Sequence, residues 1–281
     1  MLFATIRYKP VSAPSYIIRG GIAGRERLRI LSRVMRPTSL ALLQRAGLRP
    51  NINVLEIGSG GGDLAFDIAR IVGSAGRVLG TDIDQTKLEL ATSEASEQGL
   101  ANVSFQFADI TESAPASDFD LVHAPFVLTH LTNPAQALAH IRAALRPGGI
   151  IVLEDIDFRG YFCYPDCAAV WRYVHLYTET TKRKGVDANI GPRLPSLLVA
   201  AGFENVRMNV VQPSGTEGDV KLLSPLTMEN IADAVIAEGL ATSEEIDRIV
   251  AELYAYARTP GTLGCMPRIF EAWATQPAVP S

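Results

Sequence analysis

Three acidic residues, Glu56, Asp82 and Asp109, stand at comparable places in the chain, each near the end of a short apolar segment. The first is followed at once by glycines, in Val54-Leu55-Glu56-Ile57-Gly58-Ser59-Gly60-Gly61-Gly62-Asp63, and then by Leu64-Ala65-Phe66-Asp67-Ile68-Ala69-Arg70. That order reads as strand, tight turn, helix. Glycines at such a turn let backbone N–H groups approach a ligand with no side chain in the way, so a nucleotide-like ligand is expected. The dinucleotide fingerprint needs G-x-G-x-x-G after the strand. Counted from Gly58, its last glycine position is Asp63; counted from Gly60, it is Ala65. No Gly-Lys-Ser/Thr triplet supplies a phosphate loop. An acid at the helix start repels a pyrophosphate, whereas Glu56 suits a ligand with positive charge or with hydroxyl and amino donors.

The next units repeat the arrangement. Arg77–Asp82 reads as a second strand ending in an acid, and Asp82 follows Gly58 by 24 residues, close to the ~20-residue spacing at which an acid accepts ribose hydroxyls. Ile83-Asp84 leads into a helix over 85–98 with Leu88, Leu90, Ala91 and Ala95 as its apolar stripe. An alternating strand over 103–110 carries Asp109 near its end. Three successive strands thus finish with a carboxylate at one edge of a sheet.

On Glu56-x-Gly58-x-Gly60-x-Gly62, followed in order by Asp82 and Asp109, the chain resembles the class I S-adenosylmethionine-dependent methyltransferases, of the small-molecule type with an N-terminal helical extension. The likeness runs from about Tyr16 to the C-terminus and is densest over 53–157. It implies S-adenosyl-L-methionine as cofactor. Gly58, Gly60 and Gly62 would hold its methionine portion and Asp82 its ribose hydroxyls. Asp109, with Ala108 beside it, would meet the adenine amino group, and Ile83 and Ile110 would pack on the ring. Phe119–Ala124 looks like the fourth strand, whose end at Ala124 passes beneath the cofactor. Tyr16, ahead of the Gly20-Gly21 pair, is expected to approach the methionine end. The implied fold is α/β: a Rossmann-like, seven-stranded, mostly parallel sheet with its last strand antiparallel, helices on both faces, and a helical cap. Residues 1–50 would form an N-terminal helical lid and 51–281 a methyltransferase domain with cap insertions at about 158–190 and 214–262.

The elements that must position these residues are legible in part. A helix is expected over Gly24–Ala46, broken in two by Pro37. Pro134–Leu145 is another, with proline at an early position. Leu194–Ala201 reads as a short helix and Phe203–Val211 as a strand. Helices are expected at about Met228–Glu238 and Ser243–Arg258, the latter with Glu244 and Glu245 in its first turn. Met266–Ala274 is a final strand. The segment from Phe158 to Lys184 is rich in aromatics, with Tyr161, Phe162, Tyr164, Trp171, Tyr173 and Tyr177 offering flat walls with polar handles for an acceptor.

Methyl transfer from a sulfonium is an in-line displacement, in which the protein aligns the acceptor, excludes water and, where needed, takes a proton. His130, just after the fourth strand, is the first candidate for a base; a capping or packing role for it is the competing reading. His123 at the strand end ranks lower. His175 could line the pocket, and His140 reads as surface or packing. Glu154, Asp155 and Asp157 end strand five and could orient an acceptor.

Composition narrows the partners. Of the 281 residues 47% are hydrophobic, and the net charge is −4, so bulk charge gives no reason to expect nucleic acid. Lys182-Arg183-Lys184 fits a helix terminus. The stretch His123-Ala124-Pro125-Phe126 lacks the amide or carboxylate with which amino-methylating nucleic-acid enzymes of this family hold the amine, and no cysteine lies between Glu56 and Glu154. No apolar run approaches ~18 residues, so no membrane partner is expected. Three cysteines suit a reducing compartment, hence a cytoplasmic location. Cys163 and Cys167 lack a second Cys/His pair at zinc spacing, so no metal is expected. The leading expectation is a methyltransferase for a small-molecule acceptor. The alternative is a protein of the same fold that binds the cofactor but catalyses another reaction or serves as a binding protein. Oligomeric state stays open, with a homodimer as one option.

Overall fold

The computed structural model describes residues 17–278. The strands are β1 (Asn53–Ile57), β2 (Arg77–Asp82), β3 (Val103–Phe107), β4 (Phe119–Pro125), β5 (Leu145–Asp157), β6 (Glu204–Val211), the short pair β7 (Ser214–Gly215) and β8 (Gly264–Cys265), and β9 (Arg268–Thr275). Seven of them form one sheet in the order β3-β2-β1-β4-β5-β9-β6. β9 runs antiparallel to both its neighbours and the other pairings are parallel, as expected. The strand order reverses between β1 and β4, which opens a crevice at their carboxyl ends, where ligands bind in such sheets.

The helices are α1 (Gly21–Ala46), α2 (Asp63–Val72), α3 (Gln85–Glu97), α4 (Pro134–Ala144), α5 (Ala168–Arg183), α6 (Leu194–Ala200), α7 (Leu223–Ala237) and α8 (Ser243–Arg258). Three apolar clusters divide the work. On one sheet face, Val54, Val78, Leu121 and Val152 pack against Leu42 and Leu43 of α1, Phe66 and Ile68 of α2 and Ala91 of α3. On the other, Leu55, Ile57, Val122 and Leu153 pack against Leu138 and Ile141 of α4 and Leu198 of α6. A third cluster lies in the cap, where Ile30 and Met35 of α1 meet Tyr173 and Leu176 of α5, Met228 and Ile231 of α7 and Ile249 of α8. Each strand alternates between the two faces because successive side chains point to opposite sides.

One expectation is corrected. α1 is a single helix that runs through Pro37. Proline supplies no N–H, so the Arg33 carbonyl lacks its helical donor. The helix is nevertheless held along its length: Arg25 pairs with Asp63 and Glu94, Arg36 pairs with Asp67, and Leu42 and Leu43 are fully buried. This tertiary anchoring outweighs the local breaker. α1 therefore joins the sheet layer at its C-terminal half to the cap at its N-terminal half.

Candidate active site

A cavity of about 1770 Å³ lies between the carboxyl ends of the central strands and the cap. Glu56, Gly58, Gly60, Asp82, Ile83, Ala108, Asp109, Ile110 and His130 all line it, so the fold brings together most of the residues singled out in the sequence. Gly62 and Ala124 do not line it. Ala124 is fully buried in the sheet cluster facing α4, and its place at the cavity is taken by Pro125 and Phe126. Tyr16 lies outside the described residues.

The glycines of the turn have separate reasons to be glycine. Gly58, Gly60 and Gly62 all have positive φ, which side chains rarely adopt. Gly62 is the residue before α2, and a Cβ there would lie 2.6 Å from the Phe105 ring. Gly61 leaves room for the Arg25 side chain, which a Cβ would meet at 1.9 Å. Arg25 is buried and donates to the Gly61 carbonyl at 3.1 Å while pairing with Asp63. Asp63, the acid that breaks the dinucleotide fingerprint, thus ties α1 to the turn. The turn is also fixed by Asp82, whose Oδ2 accepts from Gly60 N–H at 2.9 Å and whose Oδ1 accepts from Asp84 N–H at 2.9 Å. Asp109 Oδ1 accepts from the N–H and hydroxyl of Thr111 at 2.8 and 2.7 Å.

Beneath the turn lies a buried charged row. Along β1, β4 and β5 the face that packs on α1 changes from Val54, Leu121 and Val152 to Glu56, His123 and Glu154 two residues further on. His123 Nδ1 is 3.4 Å from Glu56 Oε1, and Nε2 is 3.0 Å from Glu154 Oε1. Ser39 of α1 donates to Glu154 Oε2 at 2.9 Å. Burial alone would lower the imidazole pKa, but the hydrogen bond to Glu154 and the charge of both carboxylates carry it up to about 9, which favours the imidazolium at neutral pH. Burial pushes the Glu56 carboxyl up, against the hydrogen bond and charge of His123. Glu56 Oε2 has no hydrogen-bond partner among the described residues. His123, enclosed at 0% exposure and absent from the cavity wall, positions Glu56 and is no base for an acceptor.

The remaining candidates separate cleanly. His130 lines the cavity, and burial, with the nearby charges of Arg27 and Lys87, lowers its pKa to about 3. His175 is exposed on α5 and does not line the cavity. His140 Nδ1 contacts the Ile110 carbonyl at 2.7 Å. Nor do the strand-five acids line the cavity. Glu154 holds His123; Asp155 accepts from Thr129 N–H at 3.0 Å, its carboxyl pushed up to about 7 by burial; Asp157 pairs with Arg159 and Arg268. Of the aromatics, Tyr161, Tyr173 and Tyr177 line the cavity together with Phe126 and Phe158, and Phe158 stacks on Tyr177 at 4.2 Å. Phe162, Tyr164 and Trp171 do not line it, and Tyr164 and Trp171 are exposed. Among the described residues no group of three or more His, Cys, Asp or Glu side chains is placed to hold a metal ion.

Residues 48–186 match a family described as methyltransferase domain. The chain belongs to the class I S-adenosylmethionine-dependent methyltransferases. Within that family it is similar to the ubiquinone/menaquinone biosynthesis C-methyltransferase UbiE of Shewanella pealeana, 35% identical over 116 residues, which are 40% of this chain and 46% of that protein. The chain spans about half the length of the curated relatives it matches. Among solved structures, phosphoethanolamine N-methyltransferase 2 of Haemonchus contortus in complex with S-adenosyl-L-methionine shares the fold at TM-score 0.54 and 16% identity, covering 86% of this chain and 52% of that one. The [4+2]-cyclase SpnF shares it at TM-score 0.54 and 22% identity, covering 87% and 82%.

The methyltransferase cofactor suits these residues. It carries an ammonium, a ribose diol and an adenine amino group, all donors. The cavity offers it Glu56 with an unpartnered buried oxygen, Asp82, and Asp109, whose Oδ2 makes no hydrogen bond among the described residues. Sequence reasoning passed over Arg27, Ser39, Thr227 and Asn230. A signal for two of them existed in α1, where Arg27, Leu31, Met35 and Ser39 recur every four residues and all line the cavity.

Proposed function

We propose that this chain is an S-adenosylmethionine-dependent methyltransferase whose acceptor is a small molecule held between the glycine turn and the aromatic cap. The observation that carries the reading is the meeting, on one cavity, of Glu56, Asp82 and Asp109 with the aromatic residues Phe126, Phe158, Tyr161, Tyr173 and Tyr177. In this reading Glu56 holds the ammonium of the methionine portion, Asp82 the ribose hydroxyls and Asp109 the adenine amino group, with Ile83 and Ile110 against the ring. The bound cofactor supplies an electrophilic methyl group and a neutral thioether leaving group. The chain aligns the acceptor in line with that bond, a contribution of about 7–11 kcal/mol for well-oriented reactants. The cap excludes water. His130 faces the acceptor as a neutral imidazole; with a pKa of about 3 it is a weak base, so we assign it to hydrogen bonding and orientation ahead of proton removal. No helix among the described residues is long and apolar enough to cross a membrane, and the three unpaired cysteines support a cytoplasmic location.

A cyclase with the same fold leaves the alternative, cofactor binding without methyl transfer, to be decided by assay. Calorimetry with S-adenosylmethionine and S-adenosylhomocysteine tests the first step: micromolar binding is expected, weakened at least tenfold in Asp82→Ala. Absence of binding refutes the reading, and an unchanged Asp82→Ala affinity removes that residue from the site. Transfer of label from methyl-labelled cofactor to an extracted acceptor separates the enzyme from a binder.

A further inference from the structure

The cap side of the cavity holds a cation with no counter-ion among the described residues. Arg27 lies on α1, is 9% exposed and lines the cavity. Its Nε donates to Thr227 Oγ1 at 3.0 Å, and it forms no ion pair among the described residues. Other cations on the cavity wall are matched: Arg19 with Asp233, Arg36 with Asp67 and Lys87 with Asp84. Thr227 and Asn230 stand three apart on α7 and so share a face. Asn230 is 8% exposed and also lines the cavity; its amide donates to the Leu226 carbonyl at 2.8 Å, while its Oδ1 is buried with no partner among the described residues. Apolar Leu31, Met35, Phe158, Leu223 and Met266 line the same cavity, and polar His130 and Tyr173 on its wall feel the Arg27 charge.

Taking a guanidinium out of water without an anion is strongly unfavourable, and a buried carbonyl left unpaired adds to the cost. A fold that keeps both on one cavity wall leaves them for a ligand. With Nε fixed by Thr227, the planar fork of Arg27 is pre-oriented, and its remaining N–H groups match the paired oxygens of a carboxylate or phosphate.

We propose that Arg27 anchors an anionic oxygen group of the acceptor, a carboxylate or a phosphate, and that Asn230 Oδ1 takes a hydroxyl or amino donor of the same molecule. The acceptor is then an acid with an otherwise apolar frame. This rests on the methyltransferase reading and names its substrate class. The cofactor's own methionine carboxylate offers the same chemistry. However, the glycine turn where that portion is expected meets α1 through Arg25 and Leu28, whereas Arg27 turns to Thr227 in the cap.

The test is calorimetry on the full chain. S-adenosylhomocysteine is titrated into wild type and Arg27→Met. Then, with S-adenosylhomocysteine saturating, a panel of hydroxylated aromatic and aliphatic carboxylic acids is titrated, together with their phosphate-bearing counterparts and the neutral amide of each acid. Wild type is expected to bind the better anions at least tenfold tighter than their neutral partners. Arg27→Met should abolish that preference, and Arg27→Lys should restore part of it, with S-adenosylhomocysteine affinity changed less than twofold throughout. Three results overturn the proposal: anions and neutral partners binding wild type alike, no anion binding at all, or Arg27→Met losing affinity for S-adenosylhomocysteine but not for 5′-methylthioadenosine, which lacks the carboxylate. The last result assigns Arg27 to the cofactor. If wild type fails to bind S-adenosylhomocysteine, the methyltransferase reading falls; the same panel run without it still decides the anion site. Should Arg27→Met unfold, Arg27→Gln replaces it.

Discussion

At the scale of single residues, the most consequential group is one that touches no ligand. His123 lies between Glu56 and Glu154 with no exposure, so two buried carboxylates share one cation. Its pKa rises from the ordinary 6.5 to about 9. A group raised on folding stabilises the native state fully below its unfolded pKa and loses that contribution as pH climbs through the folded one. The His123 contribution is therefore complete below about pH 6.5 and gone above about pH 9, a loss on the order of 3 kcal/mol. Asp155, raised to about 7, erodes stability in the same direction but at lower pH, so the interval from pH 7.5 to 9.5 reports chiefly on His123. Urea unfolding of wild type should show the midpoint falling across that interval. His123→Gln should be less stable by about 3–5 kcal/mol at neutral pH, because it strands two buried acids, and should show a flatter profile. A wild-type midpoint that stays level from pH 7.5 to 9.5 would reject the imidazolium. The same variant should bind S-adenosylhomocysteine more weakly, since Glu56 loses the partner that keeps it oriented.

At the scale of elements, the strand–turn–helix unit was the most legible part of the sequence, because its glycines and acids are local signals. What the sequence could not separate was why each glycine is there. Gly58 and Gly60 face the cavity, whereas Gly62 makes room for Phe105 on β3, a contact made by residues far apart in the chain. Likewise Pro37 is a local signal for a break, and the long-range pairs of Arg25 and Arg36 overrule it. The buried row was half legible: Glu56 stood out beside the turn, but His123 and Glu154 become its partners only once β1, β4 and β5 are side by side. Arg27 meets Thr227 only through the packing of α1 on α7, a long-range contact that no local pattern describes. The difference between the glycines is testable. Gly62→Ala must place a Cβ at φ +80° and 2.6 Å from the Phe105 ring. It should cost about 2–4 kcal/mol of stability, from backbone strain and overpacking together, and leave the affinity of the folded protein for S-adenosylhomocysteine within a few-fold. Denaturation and calorimetry on the one variant check both halves, and a stable variant that no longer binds would assign Gly62 to the cofactor instead.

At the scale of the whole molecule, the sheet and the cap are joined across the cavity by α1 and by the segment that precedes it. Ile17 and Ile18 are buried in the cap cluster. Arg19 N–H donates to the Asn230 carbonyl at 2.8 Å, and the Arg19 side chain pairs with Asp233 on α7. Two residues later Gly21 N–H donates to Asp84 Oδ2 at 2.9 Å, just beyond the end of β2. Burial would raise the Asp84 carboxyl, but hydrogen bonds from Gly21 and Lys87 and the Lys87 charge hold it below the usual range. Residues 17–21 thus form a strap from α7 to the end of β2, and all five line the cavity. We propose that this strap helps to enclose a ligand seated against Asp82 and Ile83, which line the same cavity. Deleting residues 1–20 should therefore weaken S-adenosylhomocysteine binding at least tenfold, with most of the change in the dissociation rate, because the strap closes over a ligand already bound. The deletion also uncovers the surface that Ile17 and Ile18 cover, so the thermal midpoint should fall and binding must be measured well below it. Stopped-flow dissociation of a fluorescent S-adenosylhomocysteine analogue separates the two effects: a lower midpoint with an unchanged off-rate would leave the strap as packing alone, whereas a faster off-rate in the folded deletion variant makes it part of the binding site.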